Sequence, residues 1–598
     1  TPEAARLYAQ GLSKLRLFDS NGALEPLQKA VAADPKFPLA HSALARAWQA
    51  LGYDAKARDE ARLAFELSGN LSREDRLLVE GQYRGMTQDW KVATEIYVTL
   101  VRYFPDNAEY GLRLANAQSR SGKAKDALVT LAALKLLPPP QNEDPRIPLA
   151  EATARSRMGD SKGMLEAAVT AANQAAVQGS KFVEASARLS EGDGHNALGE
   201  TGKALAAWEE SRRIWASANY AGEVAKTSNN IGGIQQQLGN VPEARKRYEE
   251  ALSIWKTTGN RLGQMVALAN LALLLHDEGD LAASKRMTED SLLIAHEVDA
   301  APDIAETLID LGNVQIDLGD VAGALTSLLE SVKVARQFGN RRVLAATLGA
   351  ISRAFYLHGD IQSAKQSIQE ALEITRQTDD KAHAALTMAN WGEILMAEGD
   401  LPQARKNLEE ALKIRTGIDE KSNAAGTRLQ LAALSIEEGN AADAEHAARE
   451  VRDEFRKEGH PDDEIGADAV LLRALHAENK FDEAKQEADN AKPLLAKSHD
   501  VPDRLAIAII DAQIQPESSR QDEALQNLSI TIRDATRGGF VPDQLEARLA
   551  HADIELKSGK IPAGRAELAS LQKDATAKGF GLVAQKAIVL MAKKQHGS

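Results

Sequence analysis

A glycine-rich stretch, EGDGHNALGETGK (Glu191–Lys203), is one place where this sequence could do chemistry, because glycine-rich loops let backbone N–H groups cradle phosphate. A phosphate loop of that kind needs GxxxxGK followed by Ser or Thr. Here Ala197 stands five residues before Gly202, so the pattern fails. The twelve histidines form no HExxH pair. With no cysteine in the chain, thiolate metal sites and disulfides are both excluded. His276, His296, His358 and His383 fall on separate predicted helices. Carboxylates are abundant but follow solvated helix faces, as in Arg245–Glu249 and Lys406–Glu410. Serines lack a companion base at a defined spacing. The sequence therefore predicts no enzyme activity, no metal and no cofactor.

The elements that carry these residues repeat. Positions 159 to 559, taken every 40 residues, read Gly eight times, then Asn479, Ser519 and Gly559. Self-similarity at this period marks a solenoid whose units are expected to pack only on their neighbours. In the unit Ala225–Asn260, two helices and two turns account for the pattern. Ile231, Gly232 and Leu238 of the first helix recur as Leu311, Gly312 and Leu318, small after large, so that a second helix can come close. Gly239 suits a left-handed helix end. Asn240, Asp280, Asp320, Asp360, Asp400 and Asn440 follow as expected N-caps, and Pro242, Pro402 and Pro562 enter the next helix in its first turn. The second helix carries a small residue at 204, 244, 284 and onward to 564. Composition agrees with an all-helical chain: 598 residues, 43% hydrophobic and 4% aromatic. The longest apolar stretch, Leu268–Leu275, falls far short of a bilayer span of ~20 residues, and direct membrane insertion is not expected.

Residues 1–140 follow the same plan with turn signals at Asn21-Gly22, Leu51-Gly52, Gln88-Asp89 and Ser121-Gly122, about 34 residues apart. NGALEPLQKAVAADP (Asn21–Pro35) and SGKAKDALVTLAALKLLP (Ser121–Pro138) resemble the tetratricopeptide repeat, and the 40-residue units resemble its longer-helix variety. The resemblance implies an all-α, right-handed superhelical solenoid of about 14–15 helix-turn-helix repeats. We expect about four 34-residue repeats in 1–140 and about eleven 40-residue repeats in 141–598, capped at the C-terminus. LPPPQNEDPRIP (Leu137–Pro148) cannot continue a helix and marks the boundary or bend between the blocks. Ser498–Gln521 is a second, less regular seam.

In a superhelix of this kind the first helices line the concave surface. Positions 226, 230, 233 and 237 share one face. Position 230 and its equivalents read Asn230, Asn270, Asp310, Ala350, Asn390 and Gln430, with Lys226, Gln237, Asn313 and Arg353 nearby. Asparagine donates to and accepts from a peptide backbone at once. Related repeat proteins use an asparagine here to grip extended peptides, so by resemblance Asn230, Asn270, Asn390, Asp310, Asn313, Arg353, Lys226 and Gln237 are the expected partner-groove residues. The formal charge is uneven: 19 basic against 16 acidic residues in 1–140, and 53 against 70 in the remainder. The acidic array disfavours nucleic acid and favours a peptide or protein segment, a cationic one above others.

The expected function is a non-catalytic scaffold that binds such a segment in its groove. The alternative is the sensory arm of a bacterial signalling protein, since Ala4–Arg84 resembles the start of arrays that follow serine/threonine kinase or winged-helix domains. The chain begins at Thr1 without a leader, which suits a fragment or processed product. Compartment is left open between cytoplasm and periplasm, on either side of a membrane-tethered parent, and so is oligomeric state.

Overall fold

A computed structural model describes the chain except for residues 17–19, 52, 379, 419, 515–520 and 593–598. The expected turn positions Gly52 and Ser519 lie outside the described residues. Among those described there are thirty-one α-helices and no strand, paired as helix-turn-helix units in an all-α, right-handed superhelical solenoid. From Lys181 onward a first helix opens every 40 residues, as in Ala221–Gln237, Arg261–Asp277, Ala301–Asp317 and Arg341–His358. No described helix is long and apolar enough to cross a membrane.

Turn chemistry explains the regularity. Gly239 and Gly319 take φ of 73° and 85°, and Asn479 replaces glycine at φ 61°. A second left-handed series, absent from the sequence-based expectation, sits halfway between these turns at Gly259, Gly339, Gly459, Gly539 and Gly579, with Asn219 and Asp299 in the same role. Helices thus stop about every 20 residues. The aspartates cap as expected: Asp280, Asp320, Asp360 and Asp400 accept from the backbone N–H three residues on, at 2.8 to 3.2 Å. The two asparagines do not, which corrects the expectation for Asn240 and Asn440. The Asn240 amide instead donates to Gln235 Oε1 at 3.0 Å.

Packing between the two helices of a pair depends on the small positions. Ala244, Ala324, Ala364, Ala404 and Ala444 are wholly buried. At Gly312 an added Cβ would lie 2.7 Å from Leu328 Cγ, so that helix contact excludes any side chain.

The chain forms two compact units. The first comprises 1–271 with 293–299, and the second 272–292 with 300–598. In the first, the core runs straight through the proline-rich segment, since Leu131, Leu134, Ile147 and Ala154 share one cluster. Its N-terminal repeats also meet later ones: the Arg261 N–H donates to the Leu51 carbonyl at 3.2 Å, and Arg58 lies 3.6 Å from Asp299.

The second unit corrects the expectation of nearest-neighbour packing. Its later repeats return against its earlier ones, placing Phe540 and Leu505 in a cluster with Ile316, Leu348 and Leu357, and Phe580 and Val583 in a cluster with Ile361 and Ile394. Phe540 and Phe580, each just before a first helix, are almost fully buried by this return. The physical reason is that those first helices carry apolar residues on a second face, which stacking on sequence neighbours alone would leave in water.

Candidate functional site

Within the first unit, helix Ala221–Gln237 presents two of the expected groove residues, Lys226 and Asn230, to a cavity of about 570 Å³. Lys226, Asn229 and Asn230 form one wall. The turn before this helix adds Asn219 and Tyr220, and the junction of helices Val241–Thr258 and Arg261–Asp277 adds Trp255, Asn260 and Val266. Asn21 and Leu51, from the N-terminal repeats, close the opposite side. That closure follows from the return contact between Leu51 and Arg261.

Five asparagines therefore surround one space, beside an indole and a phenol ring. Two are committed within the protein: Asn229 Oδ1 accepts from Asn270 Nδ2 at 2.9 Å, and Asn260 Oδ1 accepts from the Gly263 N–H at 2.8 Å. Asn230 makes no side-chain hydrogen bond among the described residues, and Lys226 is exposed without an ion pair there. The Lys226 charge acts on the Asp193 carboxyl, opposing the burial that pushes it up; the Trp208 indole N–H also donates to Asp193, at 3.0 Å. An amide and an ammonium without protein partners can serve a carbonyl, an N–H and a carboxylate, the groups an extended peptide offers. The Trp255 and Tyr220 rings supply apolar contact.

The remaining groove residues are placed as follows. Asn270 sits at the cavity edge through its bond to Asn229, and Gln237 is exposed at its helix end. The others belong to the second unit. Asn390 Nδ2 donates to the Gly349 carbonyl at 3.1 Å, tying one repeat to its predecessor. Asp310 is water-accessible yet ringed by protein, and desolvation, with Glu306 nearby, pushes its carboxyl up to about 6. Asn313 and Arg353 are half-buried, and the Arg353 charge opposes the desolvation of Asp500. Asn21, Asn219 and Asn260 were not among the expected residues. Asn219 had a readable signal, as the left-handed residue of the second turn series; Asn21 is brought in by tertiary return, which no local pattern encodes.

The stretch Glu191–Lys203 forms no loop around an anion. Gly192 lies inside helix Lys181–Ala197, where it makes room for the Trp208 ring. Among the described residues no three His, Cys, Asp or Glu side chains are gathered to hold a metal ion. Of the histidines singled out by sequence, His276 pairs with Asp317 of the next repeat at 2.8 Å and His383 with Asp380 of its own helix start at 2.9 Å.

Helix pairs of this geometry, stacked around an amide-lined cavity, define an α-solenoid scaffold. Residues 223–296 and 303–377 match the tetratricopeptide repeat, and the described helices on either side continue the same helix-turn-helix solenoid. No curated protein matches it. Among solved structures, it is similar to the anaphase-promoting complex hetero-tetramer Cut9–Hcn1 (15% identity, TM-score 0.45, covering 88% of this chain and 97% of that one). It is also similar to the apo form of RapI (15%, 0.44, 63% and 98%). A third similarity is to a signal transduction ATPase with a tetratricopeptide repeat sensor from Pyrococcus horikoshii (14%, 0.41, 55% of this chain), of which this chain spans about half, 52%.

Proposed function

We propose that the chain holds an extended peptide or protein segment against its first helices, and that the cavity beside Asn230 is the principal contact. The observation that carries this is the pair Asn230 and Lys226, neither in a side-chain hydrogen bond or ion pair among the described residues, on the wall of a 570 Å³ space where Asn229 and Asn260 are already held by hydrogen bonds. Asn229 and Asn260, already held, lose little entropy on binding and can add contacts to a backbone without a strong side-chain preference. Asn270 acts by orienting Asn229. The acidic second unit favours a segment that carries positive charge. The test is capture of a partner by the whole chain beside the variant Lys226→Ala, Asn230→Ala, with equal folding checked by circular dichroism. Loss confined to the variant supports the groove, and equal retention moves binding elsewhere.

The signalling-arm alternative stands on the resemblance of Ala4–Arg84 alone. The reading frame upstream of Thr1 decides it: a kinase or DNA-binding domain there makes this chain a sensor, and a signal peptide alone makes it a free scaffold.

A further inference from the structure

A second cavity, of about 220 Å³, lies within the second unit where its later first helices return upon the earlier ones. Its apolar wall is made by Tyr356, Met396, Ile510 and Phe580, with the Tyr356 and Phe580 rings 5.9 Å apart. Its polar wall carries Glu437, Arg473, Asp543 and Glu546. Most of these charges are already satisfied. Glu437 accepts from Arg473 Nη2 and from Lys586 Nζ, both at 2.9 Å, and Lys586 also reaches Glu546 at 3.4 Å. Burial by itself would raise Glu546, but Lys586 and Arg473 hold it below the usual carboxylate range.

Asp543 is the exception. It has no ion-pair partner among the described residues, and its carboxyl accepts only from its own backbone N–H. Desolvation, with the Glu546 charge beside it and only partly opposed by the Arg473 charge, pushes it up to about 7, and Asp500 adds further negative charge from the neighbouring helix. Three carboxylates thus stand against two cations, leaving one negative charge uncompensated beside an apolar wall. The space is too small for a secondary-structure element and suits one side chain.

We propose that this cavity binds a single cationic side chain, a lysine or arginine of the bound partner, with its charge against Asp543 and its stem on Tyr356, Met396 and Phe580. The inference deepens the scaffold function proposed above and rests on it for the identity of the ligand as part of a peptide. Binding neutralises the one unpaired carboxylate and covers the apolar wall with methylene groups, the arrangement a long basic side chain favours. Because Asp543 is partly protonated near neutrality, seating the cation drives a proton off it.

The test titrates the full chain with Nα-acetyl-arginine amide and with the uncharged Nα-acetyl-citrulline amide by calorimetry at pH 7. The arginine probe is expected to bind in roughly the millimolar range, at least tenfold tighter than the citrulline probe, with a fraction of a proton released per probe as judged from buffers of different ionisation enthalpy. Asp543→Asn removes the preference and the proton release. Met396→Trp, which fills the cavity and leaves Asp543 intact, removes binding. Equal binding of the two probes, or an unchanged preference in Asp543→Asn, overturns the proposal. Asn230→Ala keeps the probe affinity, so failure here leaves the cavity of the first unit untouched, and failure there leaves this one standing.

Discussion

Gly359 and Gly439 hold the same left-handed backbone, φ 86° and 87°, at equivalent turns of the second unit. They differ in what lies above them. A Cβ at Gly439 meets nothing within 4 Å, whereas one at Gly359 would sit 2.9 Å from Val541 Cγ1 on a later repeat. Alanine at either position incurs the same backbone penalty, about 1–2 kcal/mol. Gly359→Ala adds overpacking against Val541 of about 1–3 kcal/mol. The chain is a long repeat array in two compact units, so a global two-state fit is not appropriate, and local opening measured by hydrogen exchange is the better assay. The expected result is that Gly359→Ala speeds exchange in both 355–365 and 535–545, about 5- to 150-fold beyond the local effect of Gly439→Ala. Adding Val541→Ala should remove most of that excess as a coupling term. Equal effects of the two glycine substitutions, or no change at 535–545, would refute the claim that repeats of this unit stabilise one another beyond their sequence neighbours.

Two further expectations follow from the turns and the carboxylates. Asp280→Ala, which removes a bond to the Ala283 N–H, should cost about 1 kcal/mol of local stability, while Asn240→Ala, whose side chain caps nothing, should stay within about 0.5 kcal/mol; exchange rates at the two helix starts compare them. In the second unit, desolvation and the nearby Asp317 push Asp500 up to about 7, Asp503 is raised for the same reasons, and Asp462 and Asp463 add like charge against the single guanidinium of Arg353. A carboxyl raised on folding binds more protons folded than unfolded, so its stabilising contribution is complete below the unfolded value near 4 and fades as pH rises through about 7. His276, raised above its ordinary value by its bond to Asp317, has the same sign. The second unit should therefore lose on the order of 1–3 kcal/mol between pH 5 and pH 8. Asp500→Asn, which can still cap its helix, should flatten that dependence in thermal melts across this range.

The repeat, its two turns and the buried small positions were legible because each is set by local geometry: Gly239 needs a left-handed backbone, and Ala244 and Ala404 lie under a neighbouring helix. The second turn series was equally local but less visible, since Asn219 and Asp299 replace glycine there. The return of distant repeats was not legible. Phe540 and Phe580 read as ordinary apolar residues before a helix, and only the superhelical path brings them to Ile316 and Ile361. The same holds for the site. Asn230 and Lys226 were readable from the face of one helix, while Asn21 and Leu51 come from far along the chain to close the cavity. The second cavity shows the same limit, for nothing in the sequence around Asp543 indicates that Glu437, Arg473 and Lys586 satisfy one another and leave it unpaired.

The most direct measurement compares Asn230 with Asn390, two asparagines at equivalent repeat positions with different surroundings. A peptide selected from a random display library on the whole chain would be labelled and its affinity measured by fluorescence polarisation on Asn230→Ala and Asn390→Ala. With Asn230 free to bind and the Asn390 amide committed to the Gly349 carbonyl, the first substitution should weaken binding at least tenfold without loss of stability. The second should loosen its repeat and leave affinity within about twofold. Unchanged affinity in Asn230→Ala would contradict the assignment of that cavity as the grip on the peptide.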